Sequence, residues 1–358
     1  MTVQIITGDC RAVLADLPSE SVHCVVTSPP YWGLRDYGVD GQLGMEPTLG
    51  EHLAVMVEVF RAVRRVLRKD GTCWVNYGDC YATTPNGRSA AATKALGNDD
   101  RTFRDKPFST IGGVLKPKDL CMVPNRLAIA LQEDGWWVRS EIIWHKPNPM
   151  PESIKDRPGS SHEKIWLFTK SQQYWYDASA VRQAPAPSSL SRWAQDIDGQ
   201  VGSDRQPGKT NGNMKAVGGV RRRRPNGAPT TEFIPGENTC GVPDDGVNLR
   251  NVWTINTAAF SEAHFATFPT ALIEPCIKAG CPEGGTVLDP FGGAGTTGLV
   301  ADRLGRNAIL IELNPAYAEM ARARIKNDAP LFVDTRSSGA ESRQSSLLPN
   351  TAAEASQK

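Results

Sequence analysis

The sequence predicts an α/β fold with a doubly wound, mostly parallel sheet and an irregular insert. Two observations predict it. Short apolar, β-branched runs alternate with stretches of helical period towards both ends of the chain. Between them, from about residue 180 to 250, that pattern gives way to Pro, Gly, Ser, Asn and Arg. At 358 residues the chain can bury one large α/β core.

The elements follow in order. Residues 3–6 read as a strand ending at Gly8-Asp9, and 11–17 carry helical spacing that stops at Pro18. Residues 22–27 form a second strand, halted by Ser28-Pro29-Pro30, since prolines cannot continue a ladder. Residues 53–67 read as an amphipathic helix closed by Lys69-Asp70-Gly71, followed by a strand at 72–77. The Gly-, Ala- and polar-rich segment 83–113 reads as a mobile loop. A helix is expected at 119–133 and strands at 136–144 and 164–169. Regular structure resumes after Trp253, with a strand at 286–288, a helix at 297–304, a strand at 308–311 and a helix at 315–325. From about residue 327 the tail is polar and expected to be disordered.

Composition excludes more than it selects. The formal net charge is only +1, so nucleic-acid binding has to rest on local patches. Arg221-Arg222-Arg223-Arg224 is the densest of these, and Lys116, Lys118, Arg192, Lys209 and Lys215 extend it. The 8 cysteines form no Cys-x-x-Cys pair, which points to reduced thiols rather than a metal site. No apolar run is long enough to span a bilayer and no signal-peptide pattern is visible, so a cytoplasmic protein is expected.

Two half-sites complete each other. Val287-Leu288-Asp289-Pro290-Phe291-Gly292-Gly293-Ala294-Gly295-Thr296-Thr297-Gly298 is a strand, a glycine-rich turn and a helix start. Such a turn brings backbone close to a ligand, and the helix N-terminus offers free N–H groups to an anion. Glu312 ends the next strand, where an acid can accept ribose hydroxyls. Two parallel strands cannot bury both their faces, so further strands must come from the N-terminus. Asp9, Ser28, Asp289 and Glu312 then all fall at carboxyl ends of strands, where doubly wound sheets bind ligands.

Thr27-Ser28-Pro29-Pro30-Tyr31-Trp32 resembles the catalytic motif of amino-methylating DNA methyltransferases, and Asp289-Pro290-Phe291-x-Gly293-x-Gly295 resembles their cofactor motif. The order, catalytic motif first, is similar to the permuted β-class of that family. Trp144-His145-Lys146-Pro147-Asn148-Pro149-Met150-Pro151 and His162-Glu163-Lys164 are similar to later catalytic-domain motifs. His264-Phe265-Ala266-Thr267-Phe268-Pro269 looks like an additional cofactor-pocket motif.

The resemblance implies a circularly permuted, Rossmann-like methyltransferase sheet. Its catalytic half would be 1–180, a target-recognition and DNA-binding insert 181–250, a cofactor half 251–327 and a disordered tail 328–358. It implies S-adenosyl-L-methionine lined by Asp289, Phe291, Gly293 and Gly295, with Thr296 and Thr297 near its carboxylate, Glu312 at the ribose and Asp9 at the adenine amino group. No metal is implied. The partner would be double-stranded DNA, alongside a possible cognate restriction enzyme, with the protein a monomer or homodimer.

The chemistry has its own demands. An exocyclic amino nitrogen is a poor nucleophile, because its lone pair is delocalised into the base. A site must therefore hold it in line and draw its hydrogens to acceptors. Ser28 Oγ and the Pro29 carbonyl suit that role, Pro30 stiffens the turn, and Tyr31, with Trp32 beside it, offers a wall on which a base stacks. Within the family Ser at the first motif position goes mostly with cytosine N4 and an acid mostly with adenine N6, so Ser28 favours cytosine N4 over adenine. C5-cytosine methylation needs a cysteine nucleophile. The single Pro-Cys pair, Pro275-Cys276, lies in an apolar helical stretch instead. Three rivals remain: a protein or RNA methyltransferase, whose motif usually opens with Asn, a nicotinamide dehydrogenase, which leaves the Ser-Pro-Pro-Tyr motif unexplained, and a non-catalytic DNA-binding relic.

The arginine run yields a direct expectation. Replacing Arg221 to Arg224 with alanine will weaken DNA binding and flatten its dependence on log salt by up to roughly 3.6, about 0.9 for each phosphate no longer neutralised. Affinity for S-adenosyl-L-methionine will hold. Binding titrations across salt concentration check this, and an unchanged slope refutes it.

Overall fold

The computed structural model describes residues 1–34, 39–84, 108–188, 246–257, 268–328 and 334–338. The chain divides into two compact units, one of Met1–Trp175 with Val252–Lys358 and one of Tyr176–Asn251.

In the larger unit β1 (Thr2–Thr7) leads into α1 (Cys10–Asp16), whose first turn is capped by the Asp9 carboxylate accepting from Arg11 N at 2.8 Å. Then comes β2 (Val22–Thr27). Helix α2 (Leu49–Val66) begins earlier than residue 53 because Thr48 and Glu51 form a reciprocal capping box. Its buried stripe includes Met56, Val59, Phe60, Val63 and Val66. The expected closure at Lys69-Asp70-Gly71 does not hold: the helix ends at Val66 and β3 (Leu67–Tyr77) starts at once. Leu67 pairs with Val22 and Thr72 with Cys24, so residues 68–71 bulge out of the ladder. Most of the segment expected to be a mobile loop, residues 85–107, lies outside the described residues.

Helix α3 (Val123–Glu133) starts four residues later than the sequence suggested. Met122 is left-handed at φ 57°, and Pro124, which lacks an N–H, fits only the first turn. Strands β4 (Trp137–His145), β5 (His162–Thr169) and β6 (Val252–Thr254) follow. The C-terminal part supplies α4 (Thr270–Gly280), β7 (Thr286–Asp289), α5 (Thr296–Arg303), β8 (Asn307–Glu312) and α6 (Pro315–Asp328).

One segment of the tail departs from the expected disorder. Residues 334–338 form β9 (Asp334–Ser338), parallel to β1. Their composition lacks a strand pattern, and what they gain is backbone hydrogen bonding along the free edge of β1.

The sheet order is β6-β4-β5-β3-β2-β7-β8-β1-β9. All pairings are parallel except those of β5, which runs against both β3 and β4. The two strands from late in the chain lie between the first two, with β8 beside β1 and β7 beside β2. The sheet is covered on both faces, as doubly winding requires. Val25, Cys73 and Val75 pack into one core cluster with α1, α2 and α3. Cys24, Thr72 and Trp74, their neighbours in sequence, point the other way to Gly280 of α4.

In the smaller unit the described residues include a 3-10 turn at Ser179–Val181 and a bridge between Gln183 and Val247, closed by two 2.9 Å backbone hydrogen bonds. Among the described residues no helix is long and apolar enough to cross a membrane.

Gly280 marks the closest approach of helix to sheet. A Cβ there would lie 2.4 Å from Thr72 Oγ1 and 2.6 Å from Trp74 Nε1, both fully enclosed. Gly280→Ala is expected to cost about 1–3 kcal/mol of unfolding free energy, the usual scale of overpacking, read by urea denaturation. A stability equal to that of the parent protein would contradict this packing.

Candidate active site

Ser28 leaves the end of β2, which lies between β7 and β3, so it stands at the middle of the carboxyl rim. On one side are the glycine loop after β7, Glu312 at the end of β8 and Gly8-Asp9 after β1. On the other are Asn76 near the end of β3 and Trp144 and Lys146 at the end of β4. Glu163 joins them because β5 runs in reverse, which brings its first residues to the rim where its neighbours end. One cavity of about 290 Å³ is lined from both sides, with Ser28, Pro29, Pro30 and Tyr31 on its wall.

Asp289 anchors the first side. It is 1% exposed and its carboxylate accepts from Thr27 Oγ1 and Thr297 Oγ1, each at 2.6 Å, and from Phe291 N at 3.0 Å. Burial raises its pKa, and the three donors work against that rise. The carboxylate thus joins the end of β2 to the glycine loop and the start of α5.

The loop turns through Gly293 (φ 51°) and Gly295 (φ 78°), conformations that glycine adopts readily. Glu312 accepts from Gly293 N and from Asn314 N, each at 2.8 Å, and burial raises its pKa too. Asn314 caps α6 by accepting from Ala316 N at 2.9 Å, as its place before Pro315 suggests. Asp9 lines the cavity, but Arg11 Nε reaches both its oxygens, at 3.0 and 3.1 Å. That hydrogen bonding lowers the Asp9 pKa.

The second side is a polar network around Glu163. One oxygen accepts from the Tyr31 hydroxyl at 2.8 Å and from Asn76 Nδ2 at 3.2 Å, and the other pairs with the Lys146 ammonium. Lys146 Nζ also lies 4.3 Å from the centre of the Trp144 ring, in cation–π contact. Tyr31 is backed by Tyr77, 4.8 Å between ring centres, and by Gly78, where a Cβ would come within 2.5 Å of the Tyr31 ring. Burial pushes the Tyr31 phenol well above its usual pKa, so the hydroxyl keeps its proton.

Most sequence-predicted residues converge here, and three do not. Gly295 does not line the cavity: a Cβ there would sit 2.8 Å from Ala321 Cβ, so its role is to let α6 pack. Thr297 is buried with its hydroxyl committed to Asp289, while Thr296 does line the cavity and its hydroxyl accepts from Arg324 at 2.8 Å. Trp32 is no part of the stacking wall, being 2% exposed with Nε1 donating to the Glu46 carbonyl. Glu163, Lys146, Trp144 and Asn76 were not assigned as site residues. The segments around Trp144 and Glu163 carried a recognisable pattern, and only the reversal of β5 gives it a place. Cys276 is buried in α4 with its thiol pushed up by burial, which fits packing and not nucleophilic attack. Arg192, Lys209, Lys215, Arg221 to Arg224 and His264 to Thr267 lie outside the described residues.

Comparison with known proteins agrees with this geometry. The profile of the DNA methylase family, which covers N6- and N4-amino methyltransferases, matches residues 22–323. The Type II methyltransferase M.Cfr9I of Citrobacter freundii is 43% identical over 90% of this chain and 87% of its own. M.XycI of Xanthomonas campestris pv. cyanopsidis is 44% identical over 89% of this chain and 86% of its own. Among solved structures, the cytosine-N4-specific PvuII DNA methyltransferase shares the fold at TM-score 0.56 and 18% identity, covering 91% of this chain and 92% of that one. TTHA0409 of Thermus thermophilus, solved with S-adenosyl-L-methionine, does so at 0.52 and 23%, covering 93% and 99%. The chain belongs to the DNA methylase family, and S-adenosyl-L-methionine is its methyl donor.

The Asp289 cluster is open to a single-atom test. Thr27→Val deletes one donor to a buried carboxylate and is expected to destabilise the protein by about 1.5–3 kcal/mol, the scale of a hydrogen bond to a charged group. Denaturant unfolding measures it, and a loss near zero would show the cluster to be slack.

Proposed function

We propose that this DNA methyltransferase methylates the exocyclic N4 of cytosine in double-stranded DNA, by base flipping and direct in-line transfer. The observation that carries the reading is the continuity of one cavity, with Ser28 and Tyr31 between the Glu312 side and the Glu163 side.

The first side fits S-adenosyl-L-methionine by its donor set. Glu312 accepts from the backbone N–H groups of Gly293 and Asn314, and a carboxylate's four lone-pair sites leave room for a ribose hydroxyl. Phe291 and Gly293 line the wall beside it, and Asp9, its carboxylate held by Arg11, stands on the same rim. The bound donor supplies an electrophilic methyl on a sulfonium.

The other side fits a base. Tyr31, already held by Tyr77, Gly78 and Glu163, is a ready stacking surface. Stacking is worth roughly 1–3 kcal/mol per base, which offsets much of the few kcal/mol that flipping costs. The tyrosine's one hydrogen goes to Glu163, an acceptor, so its oxygen is left to receive from Ser28 Oγ at 3.5 Å. Ser28 therefore keeps lone pairs for an amino hydrogen. That polarity draws the amine nitrogen towards tetrahedral geometry.

Ser28 in the first motif position is what favours cytosine N4 over adenine N6. Residues 181–250, with Arg221 to Arg224, are assigned to target recognition, the arginines holding phosphates. The Type II names of M.Cfr9I and M.XycI support a place in restriction–modification, alongside a cognate restriction enzyme.

Nucleoside mass spectrometry of DNA methylated by the protein identifies the product, N4-methylcytosine being expected. N6-methyladenine would overturn the base assignment and leave the fold argument standing. In the same assay Ser28→Ala and Tyr31→Ala are expected to lower turnover about a hundredfold or more with S-adenosyl-L-methionine affinity retained. Near-normal turnover in both would refute their roles.

A further inference from the structure

Beneath the methyl-transfer turn lies a buried polar chain that the roles above leave unused. The Tyr77 hydroxyl faces three groups at once. It receives Trp32 N–H at 3.0 Å, and it lies 3.1 Å from the Pro30 carbonyl and 2.8 Å from His52 Nε2. His52 is fully buried on α2, and its Nδ1 is 2.8 Å from a Glu46 carboxylate oxygen. Glu46 accepts from Gly44 N, and its own carbonyl accepts from Trp32 Nε1 at 2.9 Å. Gly44 (φ 93°) packs against Pro30, where a Cβ would come within 3.2 Å of the proline.

The hydroxyl has one hydrogen to give. Facing the Glu46 carboxylate, His52 Nδ1 must donate. If Nε2 donates as well, the ring is the imidazolium ion-paired with Glu46, the Tyr77 hydrogen is free for the Pro30 carbonyl, and every polar group in the chain is satisfied. If Nε2 accepts, the hydrogen turns to the histidine and the Pro30 carbonyl loses its donor. In the first arrangement the three residues after Pro29 are held at both ends, Pro30 through its carbonyl and Trp32 through its amide. Neither Tyr77 nor His52 lines the cavity, so both act on its wall from behind, through Pro30 and Trp32.

Resting on the function proposed above, we infer that His52 and Glu46 are positioning residues for methyl transfer, acting through the Tyr77 hydroxyl to fix the Pro30–Trp32 turn and hence Ser28 and Tyr31. The lowered pKa of Glu46 agrees with this: burial alone would raise it, and the His52 and backbone hydrogen bonds more than reverse that. Nothing on the Glu312 side of the cavity is reached by this chain, so donor binding stands apart from it.

The experiment measures kcat, KM for DNA and S-adenosyl-L-methionine Kd for the parent protein, Tyr77→Phe, His52→Leu and His52→Gln, with thermal melts of each. Tyr77→Phe and His52→Leu are expected to lower kcat about ten- to a hundredfold, the scale of a small misplacement of reacting groups, with donor Kd unchanged. His52→Gln, which can again offer an N–H to Tyr77, is expected to recover most of the loss. A Tyr77→Phe protein with parental kcat, or one whose donor affinity falls in step with kcat, overturns the inference. So does His52→Gln performing no better than His52→Leu. Where His52→Leu does not fold, Tyr77→Phe, the loss of one oxygen, decides. A parent protein that binds the donor yet leaves DNA unmethylated refutes the function reading itself, which the variants do not address.

Discussion

The carboxylate of Asp289 is the constraint on which the rest depends. It sits at the end of β7, yet it receives hydrogen bonds from β2, from the loop that follows it and from the first turn of α5. Residues 262 positions apart in sequence are thereby held at 2.6 Å. Thr27 immediately precedes Ser28, so the same bond that shapes the glycine loop also sets where the Ser-Pro-Pro-Tyr turn begins. A buried acid without such donors would be costly, and with them it is a rigid joint. The cavity wall inherits its alignment from that joint.

The strand order then decides what can meet. With β7 and β8 between β1 and β2, the ends of four parallel strands form one rim, and the Asp9 and Glu312 carboxylates share it with the Ser28–Tyr31 turn. A sheet parallel throughout would leave the region beyond β3 lined by strand ends alone. Reversing β5 puts a strand start there instead, and Glu163 with it. That one reversal brings a carboxylate within reach of Tyr31, Asn76 and Lys146 together.

Much of this was legible in the sequence, for identifiable reasons. The β2 strand and its Pro-Pro stop were plain because proline forbids a continued ladder, and the placing of Asp289, Gly293 and Glu312 on one rim because a strand–turn–helix fixes where the strand end and its loop fall. That the chain's two ends share one sheet followed from the burial needs of two orphan strands. Other features depended on tertiary partners that periodicity does not encode. Gly295 looked like a ligand glycine, but what it accommodates is Ala321 on a helix that packs from elsewhere. Thr297 looked like a carboxylate binder, but Asp289 claims its hydroxyl. Trp32 looked like part of a stacking wall, but the Glu46 carbonyl turns it inward. The order of residues 334–338 rests on the free edge of β1 and not on their own composition. Glu163 escaped because strand direction leaves no mark on a short apolar run.

The hydrogen bonding of the turn follows one rule. An amino group on a base has hydrogens to give and a lone pair it gives reluctantly, so the wall it meets must present acceptors. Four donors beside the turn are directed away from that wall. Thr27 donates to Asp289, Tyr31 to Glu163, Trp32 N to Tyr77 and Trp32 Nε1 to Glu46. Each of those donors ends on a partner that is itself anchored in a strand, a helix start or the buried chain below Pro30. Oxygen lone pairs are what remain on the cavity side at Ser28 and Tyr31. A site whose polarity is fixed before its substrate arrives has less reorganisation left for the reaction, and electrostatic catalysis depends on that head start.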